Sequence, residues 1–565
     1  MSERREPIRL EGSAKLAIET GRNRLVLAGV LIALAFIAVA ARVIELSAFR
    51  DHNEPQQLAL NVGGGLPTGR ADIVDRNGML IATSLRTPSL YADPKEVMDP
   101  IAAADKLLTV LEGLDRAQLI EDMSSKRRFV WLKRNLTPGE TQRVNDLGIP
   151  GLRFMDEWKR VYPQGALTAH LVGFTDVDDR GISGVEKQFD QRLTGEALPL
   201  KLSIDLRIQH LVKEEVQRQI DAFTAIGGTG VVLDVETGEV VSMVSLPDFD
   251  PNAAGQMDPN RRFNRATLGV YEMGSTFKIF NTAMALDAGT VTLRDGYDAT
   301  KPIRVARFTI NDYHAKRRWL SVAEIFMYSS NIGSVKMAMD VGTERQRDFL
   351  GKLGMLKAAD VELPELGRPL VPSPWRPINT MTISFGHGLS VSPLHLVNGV
   401  ATVVNGGLHR PTTLLQQESA PAGERVLSAR ASSEMRRLLR LVVNNGTGRK
   451  ADAKGYLVGG KTGTAEKPGA SGGYKRKKLL SSFVAAFPMH KPRYVVLVMV
   501  DEPVGNKKSH GYATGGWVAA PAVKRIVERA APLLGVAPVD MESPDIRRDL
   551  LIEVPTEGGK VLASF

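Results

Sequence analysis

The stretch EMGSTFKIFNTAMALDAG, residues 272 to 289, limits what this chain can fold into more than any other segment. It reads as a helix that is apolar on nearly every side. Such a helix has no face to offer water, so other elements must enclose it all round. The domain that holds it therefore has to be large and layered. Its first turn is chemically odd for such a place. Ser275 and Lys278 stand three residues apart, and helical residues at that spacing are neighbours, with Cβ atoms about 5–6 Å apart. Lysine is among the residues least often fully buried.

The rest of the chain can supply the enclosure. Its 565 residues exceed one ordinary core and imply two or three domains. GTGVVLDVETGEVVSMVSLPD (228–248) holds two β-branched runs joined at Glu236-Thr237-Gly238-Glu239, a hairpin signal. GYLVGGKTGTAEK (455–467), LLSSFVAAFP (479–488) and RYVVLVMVDEP (493–503) read as three further strands, and WVAAPAVKRIVERAAPLL (517–534) as a closing helix. Strands at both ends with helices between predict an α+β domain, one central antiparallel sheet covered by helices.

Ahead of this domain the texture differs. LVLAGVLIALAFIAVAA, Leu25 to Ala41, carries no charge and is near the lower length limit for a spanning helix. Arg22 and Arg24 precede it, which holds that end in the cytoplasm. The expectation is a cytoplasmic tail (1–24), a single-pass transmembrane anchor (25–46) in the inner (plasma) membrane, and the bulk of the chain outside, in the periplasm. A cleaved signal peptide is the competing reading, with Ala38-Val39-Ala40 as its site; the long apolar run and the tail before it favour the anchor. Residues 47–200 are rich in turns, short strands and charge, an elongated pedestal domain. There GRADIVDRNGMLIATS (69–84) predicts a hairpin turning at Asn77-Gly78, with helices near 94–113 and 115–126. Longer regular elements occupy 201–535, and 536–565 reads as a flexible, loosely held tail.

Composition excludes some chemistries. With no cysteine there is no disulfide, no thiolate catalysis and no cysteine-held metal. The net charge of +10 favours an anionic neighbour such as lipid or a wall polymer. Nucleic acid is not expected, because there is no zinc-finger spacing, no Walker loop and no aromatic-studded basic stripe. YKRKK (474–478) reads as a solvated loop.

Ser275 and Lys278 become a site through two further pieces. Alone, a Ser-x-x-Lys match is expected about twice by chance in a chain of this length. A serine just after Gly274 would sit among free backbone N–H groups at a positive helix end. It becomes nucleophilic if a neutral base takes its proton, and a lysine can be that base when burial or a second cation depresses its pKa. YSSNIG places Ser329 and Asn331 around Ser330, on a loop entering a helix. A hydroxyl and an amide there can relay a proton and hold a substrate amide; a plain helix cap uses the same residue types. VGGKTGTAE puts Lys461, Thr462, Gly463 and Thr464 on a Gly-flanked strand that a ligand backbone can approach. Lys461 offers a cation for a carboxylate, or is an ordinary solvated edge lysine. His387 in FGHG, and Arg70, Asp75 and Arg76, read as structural rather than catalytic.

Together the three form the ordered Ser-x-x-Lys, Ser-x-Asn, Lys-Thr-Gly set known from class A β-lactamases and penicillin-binding proteins. The chain resembles a class B penicillin-binding protein along essentially its whole length. RADIVDRNG (70–78) is similar to the family's pedestal signature, with Ala71 in place of a glycine, and FGHGLSVSPLHLVNGVATVVNGG, VVNNGTG and ATGGWVAAP also match its texture. Ser330 in place of the aspartate of Ser-Asp-Asn points away from β-lactamases. The single anchor and compact pedestal look most like the division-specific, FtsI-type member.

The resemblance implies a serine-type D,D-transpeptidase that needs no metal or cofactor. Ser275 would attack the D-alanyl-D-alanine donor, Lys278 would take its proton, and Ser329, positioned by Lys278 and Lys461, would pass a proton to the leaving D-alanine. Asn331 would hold the substrate amide, and Lys461, Thr462, Gly463 and Thr464 would bind the terminal carboxylate. Implied partners are peptidoglycan stem peptides with an amine acceptor, β-lactams, the membrane, a polytopic SEDS-family glycan polymerase and other divisome proteins. The alternatives are an elongation-specific transpeptidase, a D,D-carboxypeptidase or β-lactam sensor of the same fold, and a non-enzymatic division scaffold.

Overall fold

The computed structural model describes residues 69–564 apart from 257, 306–307, 470–472 and 556–560, together with Val26, Val30 and 32–37. The chain divides into two units, Met1–Thr68 and Gly69–Phe565. In the first, the described residues are helical. No helix among the described residues is long and apolar enough to cross a membrane; the rest of the expected anchor (25–46) and the expected tail (1–24) lie outside them.

In the second unit the Asn77-Gly78 turn forms where its residues predict it. Gly78 takes φ 83°, and Asp75 Oδ1 accepts from the N–H groups of Asn77 (2.8 Å) and Met79 (2.9 Å). This closes the hairpin between β1 (Ile73–Val74) and β2 (Leu80–Ala92). Helices α1 (Pro100–Val110) and α2 (Arg116–Met123) start on Asp99 and Asp115, whose carboxylates take up first-turn N–H groups. β3 (Val130–Lys133) and β4 (Leu152–Val161) pair antiparallel with β2, and β5 (Leu200–Lys201) pairs parallel with β1. Arg70 and Arg160 both grip the buried Glu186, at 2.5 and 2.7 Å. Asp75 Oδ2 accepts from Leu206 N–H at 3.1 Å, and Arg76 pairs with Glu239 at 2.9 Å. The Ala71 methyl is buried in the main core.

The larger layered part begins with α3 (Leu206–Ala222), β6 (Gly227–Asp234) and β7 (Val240–Leu246). A 3₁₀ turn at Gly274–Phe277 then leads into α4 (Lys278–Asp287). Next come α5 (Val322–Tyr328), α6 (Asn331–Val341), α7 (Pro393–Val404) and α8 (Ala429–Asn444). β8 (Gly459–Pro468), β9 (Tyr474–Phe487), β10 (Tyr494–Asp501) and α9 (Ala520–Leu533) complete it. The sheet order is β8-β9-β10-β6-β7, every pair antiparallel.

Both central strands are buried along their whole length. Because successive side chains point to opposite faces, each strand feeds two cores. Val231, Leu233, Leu497 and Met499 join Phe280 and Ala283 of α4. Val232, Val496 and Val498 join Ile208 and Val212 of α3 and Val523 and Ile526 of α9. The all-round apolar helix is enclosed as its sequence requires: every residue from Lys278 to Leu286 is buried.

Two expectations are corrected. YKRKK begins β9 and is not a loop, because its strand pairs back onto Lys467 and Pro468 of β8. The segment after 535 is not loosely held over its described residues. α10 (Pro544–Leu550) starts on a Ser543 cap, and β11 (Ile552–Pro555) pairs with β12 (Val561–Ser564). Ile546, Leu550, Ile552 and Val554 are buried in the main core, and Arg437 of α8 donates to the Leu551 carbonyl. Polar composition hid an i, i+4 apolar pair, Ile546 and Leu550, that α8 covers.

Candidate active site

The serine sits in a tighter turn than its sequence predicts. Gly274–Phe277 is 3₁₀, in which residues i and i+3 eclipse. Ser275 is thereby stacked against Lys278, with Nζ 3.0 Å from Oγ. The turn is pressed against β8. Gly274 takes φ 56°, and a Cβ there would lie 2.7 Å from the Thr464 carbonyl oxygen. Gly463 matters for the same reason from the other side. A Cβ on it would come within 2.3 Å of Ser482 Oγ and 2.9 Å of the Met273 carbonyl oxygen.

Ser329, Ser330 and Asn331 divide the work between cap and site. Ser330 is the N-cap of α6: its Oγ accepts from Gly333 N–H at 3.0 Å and donates to Asp312 at 2.7 Å. Asp312 Oδ1 also accepts from the N–H groups of Asn331 (2.6 Å) and Ile332 (3.0 Å). Ser329, at the end of α5, is held left-handed at φ 62°, a costly conformation for a residue with a side chain. Held so, the flanking residues face Lys278. Its Nζ lies 2.7 Å from the Ser329 carbonyl oxygen, 3.1 Å from Ser329 Oγ and 2.7 Å from Asn331 Oδ1. The Asn331 amide is already engaged at both ends, since Nδ2 donates to the Asn311 carbonyl at 2.9 Å. One Nδ2 proton remains for a ligand.

Lys461 is buried against Ser329. It is 0% exposed, its Nζ donates to Ser329 Oγ at 2.9 Å, and it stands behind the cleft wall rather than on it. Thr462 and Thr464 do line the cleft. Thr462 Oγ1 lies 2.8 Å from Thr447 Oγ1, and Gly515 N–H donates to Thr464 Oγ1 at 3.1 Å. A ligand carboxylate would therefore meet the two threonine hydroxyls, with the Lys461 charge behind them.

Burial decides the protonation of the two lysines. Lys278 is 1% exposed and is held well below the usual 10.5, first by desolvation and then by the Lys461 cation; Asp312 opposes this. Desolvation brings Lys461 down to about 7. A neutral Lys278 amine fits its surroundings. Its two protons go to the carbonyl and amide oxygens at 2.7 Å, leaving the lone pair for the Ser275 hydroxyl.

The eight residues singled out from the sequence thus converge on one cleft of about 700 Å³, lined by Ser275, Ser329, Asn331, Thr462 and Thr464. Asp312, Thr447 and Trp517 line or buttress it and were not singled out. They come from loops or, for Trp517, a four-residue helix, where no periodicity marks them.

Comparison with known proteins assigns the class. Residues 228–528 match the penicillin binding protein transpeptidase domain, and residues 66–207 the penicillin-binding protein dimerisation domain. The chain belongs to this family, as an FtsI-like class B penicillin-binding protein. It is 42% identical to the probable peptidoglycan D,D-transpeptidase FtsI of Caulobacter vibrioides over 84% of this chain and 83% of that one. It is 31% identical to peptidoglycan D,D-transpeptidase FtsI of Escherichia coli K12, over 87% and 88% of the two chains. Penicillin binding protein 3 of Mycobacterium tuberculosis, solved with aztreonam, shares the fold at a TM-score of 0.66 and 24% identity, covering 84% of this chain and 98% of that one.

Proposed function

We propose that the chain is a peptidoglycan D,D-transpeptidase that cross-links stem peptides through a serine acyl-enzyme during septal wall synthesis. The observation that carries this reading is Lys278 Nζ, buried and 3.0 Å from Ser275 Oγ. Ser275 Oγ attacks the carbonyl between the two terminal D-alanines, and its proton passes to Lys278. Ser329, reached by both lysine amines, hands a proton to the departing D-alanine nitrogen. Backbone N–H groups of Ser275 and Thr464 stabilise the oxyanion, a role worth about 3–4 kcal/mol of barrier. Asn331 orients the donor amide, while Thr462 and Thr464 bind its carboxylate in the field of Lys461. An acceptor amine then takes the acyl group. β-Lactams, which imitate the D-alanyl-D-alanine end, acylate the same serine.

The names of the relatives support the reaction and the division role. The charge-free run Leu25–Ala41 supports a single inner-membrane anchor within 25–46, with 1–24 cytoplasmic and the pedestal (47–200) and catalytic domain (201–535) periplasmic; a SEDS-family polymerase as membrane partner rests on the family likeness alone. A fluorescent penicillin should label the wild type and not Ser275→Ala; a wild type that stayed dark would sink the proposal. Rapid release of D-alanine without an acceptor would make it a carboxypeptidase instead. Cells depleted of the protein should grow as filaments, whereas rounding would move it to elongation.

A further inference from the structure

The cleft has a second chemical corner that the three motifs do not use. His387 lies between Gly386 (φ 87°) and Gly388 (φ 83°), and its ring lines the cleft together with Ser275. The ring packs between Phe385 and Tyr474, at centroid distances of 5.3 and 5.4 Å. Its Nδ1 is buried and has no hydrogen-bond partner among the described residues. Glu272, three residues before Ser275, supports this corner. Its Oε1 accepts from Gly388 N–H at 2.7 Å and from the Tyr474 hydroxyl at 3.2 Å, while its Oε2 is buried without a partner among the described residues. Glu466 lines the cleft as well, whereas Lys316, Arg449 and Lys450 are also among its lining residues. The cleft thus offers acid and imidazole in addition to its cations.

A transferase that hands an acyl group to an amine needs such a corner, and in this respect the inference rests on the function proposed above. An alkylamine near neutral pH is an ammonium ion and cannot attack until it loses a proton. Lys278 is poorly placed for that first deprotonation. Its protons are directed to Ser329 and Asn331, and its lone pair faces Ser275. We propose that His387, backed by Glu272, is the base that deprotonates the acceptor ammonium, and that Glu272, Glu466 and Tyr474 frame its entrance.

The step balances. The imidazole takes one proton from the ammonium, and the freed nitrogen bonds to the acyl carbon. The tetrahedral adduct gives its second proton, through Lys278, to Ser275 Oγ as the ester bond breaks. The imidazolium then releases its proton to solvent, so one ammonium and one ester yield one amide, one serine and one proton. The surroundings of the ring suit this cycle. Burial lowers its pKa from 6.5, so it enters neutral. Glu272 and Glu466 favour the protonated ring once it has formed.

The test uses the full chain, a D-alanyl thioester as donor and two acceptors. D-Alanine presents an ammonium at neutral pH; hydroxylamine is already unprotonated. In His387→Gln, transfer to D-alanine should fall at least about 10-fold more than transfer to hydroxylamine, a modest share of what a general base contributes. Raising the pH toward the acceptor's own pKa should restore it. Glu272→Gln, which keeps the hydrogen-bond acceptor and removes the charge, should show a smaller loss in the same direction. Equal losses with both acceptors, or no loss, would overturn the role of His387 while leaving the transpeptidase reading intact. A wild type that neither reacts with the thioester nor binds a fluorescent penicillin would overturn both.

Discussion

Lys278 has to be buried to be a base, and burial makes the identity of its cation decisive. Arginine keeps the charge and cannot be deprotonated in a protein. Lys278→Arg should therefore slow acylation by fluorescent penicillin at least about 100-fold. The larger side chain should cost about 1–3 kcal/mol of stability; loss of labelling with retained cooperative melting is the expected pair of results. Lys461 gives a stability test with a defined sign. Its folded pKa, about 7, lies below the usual 10.5. Between these values the unfolded chain binds a proton that the folded chain does not, so stability rises with pH, by at most about 1.4 kcal/mol per unit. Below the folded value both states carry the proton and the slope vanishes. Urea unfolding of the wild type and Lys461→Met at about pH 7.5 and about pH 9.5 should show the wild type gaining on the variant; parallel curves would refute the buried neutral amine. At this scale the residue types were legible from spacing and order. The directions of their side chains were not: that Lys461 lies buried with its amine on Ser329 Oγ is set by the fold.

At the scale of elements, the site depends on how closely the 3₁₀ turn and β8 approach. Gly463→Ala places a carbon 2.3 Å from Ser482 Oγ and 2.9 Å from the Met273 carbonyl. The turn has to shift, and a displacement near 1 Å at a catalytic group costs on the order of 100-fold. Acylation should fall by about that factor while circular dichroism stays native. The hairpins and the buried helix were readable because strand alternation and turn residues act locally. The C-terminal helix was not, because its seven residues carry only Ile546 and Leu550 on the covered face. Leu550→Ala should cost about 2–5 kcal/mol, and calorimetry would find no change if that segment were loose.

Across the whole molecule, charges far apart in sequence tie the pedestal to itself and to the catalytic layers. Arg70 and Arg160 meet at Glu186 across separations of 116 and 26 residues. Removing only that carboxylate, in Glu186→Ala, leaves the buried Arg160 guanidinium without its ion-pair partner and Arg70 with Asp190 alone, and should cost about 3–5 kcal/mol in urea unfolding. The amino-acid sequence by itself determined the elements of the sheet, the enclosure of the helix over 278–286 and the order of the three motifs. Alternation, helical period and turn chemistry act over a few residues, so they survive in a linear reading. Only the tertiary structure decided which serine caps and which faces the lysine, that Asp312 braces the loop, and that His387 lines the same cleft as the nucleophile. These depend on atoms brought together from afar: Asn331 is 53 residues from Lys278, and Lys461 is 132 from Ser329. The neutrality of Lys278 arises from that assembly, because desolvation belongs to the surroundings of a group rather than to its neighbours in the chain.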